Sequence, residues 1–100
     1  MPIYYFTFDA IPLAENPEKK ECAGAVVCCW VDSIDVNFAL AKAKNYITNE
    51  GWEVITVEEQ FIATREQYED DSENEDALEC YDEAASEGVS AIFYIWPYDD

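Results

Sequence analysis

Residues 23–31 read Ala-Gly-Ala-Val-Val-Cys-Cys-Trp-Val, nine successive positions without a charged side chain. Successive side chains of a strand point to opposite faces of a sheet. A run that is apolar throughout therefore predicts a strand buried on both faces, which places it inside its sheet with neighbours on both edges.

The remaining segments supply those neighbours. Ile3 to Phe8 is an apolar and aromatic run that ends at Asp9 and reads as a first strand. Ala10 to Glu21, with Pro12, Asn16, Pro17 and Lys19-Lys20, has no sustained period and reads as a long exposed loop. After the central run, Asp32 or Ser33 is placed to cap a helix. Its apolar positions Val36, Ala39, Leu40, Ala43 and Ile47 recur at helical spacing, and Gly51 marks its end. Trp52 to Glu58 alternates loosely as a third strand, and a strand-helix-strand unit this short favours parallel pairing through a right-handed crossover. Thr64 and Gln67 have the spacing of a capping box that opens a short helical turn. Ala77, Leu78, Tyr81, Ala84 and Ala85 line a second amphipathic helix closed by Gly88, and Val89 to Trp96 forms a last strand ended by Pro97.

The order is β-β-α-β-α-β, within one domain spanning residues 1–100. The expected fold is α+β: a two-layer sandwich in which a four-stranded mixed sheet carries both main helices on one face. The general order resembles ferredoxin-like or split βαβ domains, a likeness of architecture with no diagnostic motif behind it. On this reading Tyr4, Phe6 and Phe8 share one face of the first strand, Tyr94 and Trp96 share one face of the last, and Trp30 joins them. An aromatic face left bare by the helices needs a cover, from the long loop, a second copy of the chain in a homodimer, or a ligand.

Charge narrows the partners. There are 23 Asp and Glu against 5 Lys and Arg, with no His, for a net charge of −18. Such acidity is common in disordered chains, but half of this one is hydrophobic and 15% is aromatic, enough to build a core. Five cations cannot form the basic groove that nucleic acid requires, and anionic lipid surfaces are excluded on the same ground. Self-repulsion of this size destabilises the compact state. Added NaCl is therefore expected to raise Tm in a thermal melt series, and a flat or falling Tm would contradict it.

The chemistry-bearing residues are few. Without His there is no Ser-His or Cys-His nucleophile pair, and the usual nitrogen ligand of zinc is missing. Gly24, Gly51 and Gly88 are scattered, so no phosphate-cradling loop is formed. Cys28 and Cys29 fall on opposite faces of a predicted strand and read as core fillers, as does Cys80, whereas Cys22 beside the loop reads as the most exposed thiol. No apolar run approaches the length of a membrane span, and no secretory signal precedes the first strand, so a cytoplasmic location is expected.

The strongest functional signal is local. Residues Thr64 to Gly88 hold 11 acids and a single cation, Arg65. Within them Glu75, Glu79, Glu83 and Glu87 stand four apart, where like charges on a helix cost about 0.2–0.5 kcal/mol per pair. A helix does not adopt that row for its own stability. The expectation is a non-enzymatic interaction module, of inhibitor, immunity or adaptor type, that docks a basic protein through Asp70, Asp71, Glu75, Glu79, Asp82 and Glu83. One alternative is a small-molecule or divalent-metal domain using the aromatic face or the acidic turn of residues 70–76. Another is a structural domain whose acidic face serves solubility alone. No cofactor, catalytic residue or metal ligand is assigned.

Overall fold

The computed structural model describes residues 2–16, 22–69 and 75–97. The apolar run is the core of strand β2 (Cys22–Asp32), which lies between β1 (Ile3–Pro12) and β4 (Val89–Pro97). β3 (Trp52–Ala63) pairs with the other edge of β1, giving the order β3-β1-β2-β4. Helix α1 (Val36–Asn49) joins β2 to β3, and α2 (Glu66–Glu69) and α3 (Glu75–Glu87) lie between β3 and β4.

Every pairing is antiparallel, so the sheet is not the mixed one expected. β2 and β3 do run in the same direction, but β1 is inserted between them and hydrogen-bonds to both. The unit is thus a split βαβ with no parallel ladder. The second connection links β3 and β4, which are opposite edges running in opposite directions. The strand order therefore does not confirm a ferredoxin-like arrangement, which needs a second split unit.

The helices also divide between the two faces. Phe6, Phe8 and Ala10 of β1 and Ala25, Val27, Cys29 and Val31 of β2 form one buried cluster with Ala39, Ala43 and Ile47 of α1. Ile3 and Trp30, from the alternate positions of the same strands, cluster instead with Tyr68 of α2 and Ala84 of α3. Because alternate positions face opposite ways, α1 covers one side of the sheet and α2 with α3 covers part of the other. The result is three layers in place of two.

Local chemistry explains the element ends. Asp35, not Asp32 or Ser33, caps α1: its Oδ1 accepts from the Phe38 N–H at 2.9 Å. Asp32 is still in the sheet at that point, paired with Ile3 and donating its N–H to the Gly88 carbonyl. Gly51 and Gly88 follow α1 and α3 at φ of +95° and +99°, a left-handed conformation that a Cβ would strain. The Thr64 N–H donates to Oε1 of Gln67 at 2.8 Å, one arm of the expected capping box, and α2 starts there.

β1 and β3 are both longer than their sequence patterns suggested. β1 continues to Pro12 because Asp9, Ala10 and Ile11 still find partners on β3. β3 reaches Ala63 through two register shifts that leave Ile55 and Glu58 without opposite residues. Those bulges break its alternation, which is why its sequence period was weak. At the second bulge the Glu58 carboxyl hydrogen-bonds to that of Asp9, which pushes it above the ordinary glutamate range.

Candidate functional site

α2 and α3 cover only part of the second face, and a cleft of about 270 Å³ opens beside them. Its floor is Tyr5, Cys28 and Trp30 of the two central strands. Glu59 and Phe61 line it from β3, Gln67 and Tyr68 from α2, Asp76 and Ala77 from the first turn of α3, and Ile92 and Tyr94 from β4. Register creates this convergence: Tyr5 stands opposite Trp30 on one side and Phe61 on the other, so three aromatic rings form a row across three strands. Their centroids are 5.0 Å apart for Tyr5 and Trp30 and 4.7 Å for Tyr5 and Phe61.

Hydrogen bonds hold the row. The Trp30 indole N–H donates to the Tyr68 hydroxyl at 3.0 Å, which ties α2 to the sheet, and the Thr7 hydroxyl donates to the Tyr5 hydroxyl at 2.7 Å. Burial raises the Tyr5 phenol well above its usual range, helped by a hydrogen bond with Cys28, and burial raises Tyr68 as well. Both phenols therefore stay protonated at neutral pH. The same holds for the thiols of Cys29, pushed up to about 12 by burial, and Cys80, raised by burial and by nearby carboxylates. None of these four groups is an activated nucleophile.

A second depression, of about 220 Å³, runs between α3 and the edge strand β4 and is lined by Asp76, Glu79, Cys80, Glu83, Ser90, Ala91 and Ile92. It shares Asp76 and Ile92 with the aromatic cleft, so the two adjoin. Glu75, Glu79 and Glu83 are exposed, as the row of acids predicted. Asp82 differs. Arg65 donates to both of its oxygens, at 2.9 and 3.2 Å, and also pairs with Glu69. That pairing holds the Asp82 carboxyl below its usual range, so the interaction is present at neutral pH and is lost as pH falls through the lowered value. Asp82 is thus part of a staple between α2 and α3, because the turn at α2 brings in a cation from seventeen positions away. Asp70 and Asp71 lie outside the described residues.

The six aromatic residues expected on one face do not share it. Phe6 and Phe8 are fully buried under α1, with Tyr4 packed against the same cluster. Trp30, only 2% exposed, belongs to the opposite face, and Tyr94 lines the cleft there. Trp96 lies on that side too, with its ring against Gly24. Tyr94 and Trp96 are 55% and 40% exposed, so the open aromatic surface is carried by β4 and not by β1. Cys22 is buried, contrary to its expected exposure, because β2 begins there and pairs with the end of β4. Cys28 and Cys29 do point to opposite faces.

Sequence reasoning passed over Tyr5, Glu59, Phe61, Tyr68 and Asp76. The available signal was the parity of β1: Tyr5 alternates with the Tyr4, Phe6, Phe8 set and so belongs to the other face. Among the described residues, no group of three His, Cys, Asp or Glu is arranged to hold a metal ion, and no helix is long and apolar enough to cross a membrane. No protein-family model, curated protein or solved structure matches the chain.

Proposed function

We propose that the protein is a non-enzymatic interaction module whose acidic α3 surface docks a basic protein partner. One observation carries this reading: Glu75, Glu79 and Glu83 stay exposed on α3, and Glu79 and Glu83 edge a groove against β4 that, among the described residues, contains no Lys or Arg. The single arginine is committed to Asp82 and Glu69. A carboxylate row of this kind accelerates encounter with a cationic surface and disfavours acidic competitors.

The test is the triple variant Glu75→Gln, Glu79→Gln, Glu83→Gln, with affinity capture at low and high salt. Relief of like-charge repulsion is expected to leave stability unchanged or raise it by a few tenths of a kcal/mol, about 0.2–0.5 per pair removed. The same variant is expected to lose a basic protein that the natural chain retains at low salt and releases at high salt. Stability that rises while binding falls identifies residues retained for recognition. Capture of the same proteins by both forms, or no captured protein that tells them apart, overturns the reading in favour of a solubilising face.

A further inference from the structure

We propose that the aromatic cleft is an anchor site for one arginine side chain of a basic partner. Tyr5, Phe61 and Tyr94 supply ring surface, and Glu59 and Asp76 supply carboxylates from β3 and from α3. Phe61 and Tyr94 are exposed, so their surface is open to a ligand, while Trp30 is fixed beneath by its bond to Tyr68.

Three features select the occupant. The volume of about 270 Å³ lies below the range of roughly 300–1,000 Å³ typical of sites for drug-sized ligands, which suits one side chain. Among the described residues the lining has two carboxylates and no Lys or Arg, in a chain of net charge −18, which rejects anions and favours a cation. Aromatic rings beside carboxylates favour guanidinium over ammonium. The guanidinium plane stacks on ring faces and presents a fork of N–H donors to a carboxylate, whereas an ammonium is a compact and strongly hydrated charge.

This site deepens the docking reading, since Asp76 joins the cleft to the acidic groove along α3. Its test needs no partner protein. The full-length chain, labelled with nitrogen-15, is titrated with capped arginine (N-acetyl-arginine N-methylamide) at constant ionic strength. The Trp30 indole N–H resonance is followed, distinguished from the other two by Trp52→Phe and Trp96→Phe. Trp30 is expected to shift saturably while Trp52, buried with the opposite cluster, stays still. Capped citrulline, the neutral isostere, is expected to bind about fivefold more weakly or worse. Glu59→Gln and Phe61→Leu, both at exposed positions that leave the core intact, are each expected to weaken arginine binding about threefold. A Trp30 signal that does not move overturns the proposal. So does citrulline or capped lysine binding as tightly as arginine, or a response that both variants leave unchanged. Failure here removes the cleft and leaves the acidic-row experiment standing, because that experiment reads different residues.

Discussion

Phe8→Ala is expected to lower the free energy of unfolding by about 3–5 kcal/mol. At about 4–8 °C per kcal/mol for a domain of this size, Tm falls by about 12–40 °C. Phe8 is fully buried and stacks on Phe6 with ring centroids 5.5 Å apart. Its strand is held from both sides, opposite Val27 on β2 and Val57 on β3. The helix above presents Ala39 and Ala43, small residues that have no further side chain to swing into a void. The cavity therefore cannot collapse, and the cost lies toward the upper end of the range. Urea unfolding with an unchanged m value reads it. Val57→Ala on the exposed edge is the control, expected to change stability by no more than about 0.5 kcal/mol. A loss below about 1 kcal/mol for Phe8→Ala would contradict the described core.

Trp30→Ala is expected to have an effect of similar size, about 3–5 kcal/mol, from the other side of the sheet. It removes the buried ring beside Tyr5 and the N–H donor of Tyr68, so α2 loses its tie to β2. Trp30→Phe separates the two contributions: the ring is largely retained, and the lost donor costs about 1–3 kcal/mol. The layer arrangement is tested by combining the milder changes. With Phe8 and Trp30 on opposite faces, Phe8→Leu and Trp30→Phe are expected to add to within about 0.3–0.5 kcal/mol. A coupling well above that range in either direction would mean that the two rings share a core.

The apolar run at residues 23–31 constrains both the order of the strands and the number of layers. It predicted a central strand, and β2 is central. A strand buried on both faces also demands a cover on both, which is incompatible with two helices on one side. The expectation of two layers conflicted with its own best signal. Helix limits were legible at Gly51, Gly88 and the Thr64–Gln67 pair, but the start of α1 was not, because Asp32, Ser33 and Asp35 are all side chains able to cap it and only the extent of β2 selects Asp35. What could not be read is register. Whether Tyr5 or Phe6 meets Trp30 depends on how β1 and β2 align, and no tight turn between them dictates that alignment in the sequence. The cleft inherits the same dependence, since Phe61, Tyr5 and Trp30 come from three strands. Arg65 and Asp82 meet for a further reason: they belong to separate segments brought together by packing of α2 against α3. A row of acids along one helix shows its spacing but not which member a distant cation will claim.

The connection from β3 to β4 spans the sheet from one edge to the other, so the strand that closes the free edge of β2 comes after the other three in the chain. Until β4 docks, β1, β2, α1 and β3 leave the sheet incomplete. During that interval β2 has β1 on one side and nothing on the other, so the most apolar strand of the molecule presents a row of unsatisfied backbone groups to any neighbouring chain. The segment synthesised next is the one that carries 11 acids from Thr64 to Gly88. Charge of one sign at that density repels a second copy of the chain and so opposes the pairing of two open β2 edges.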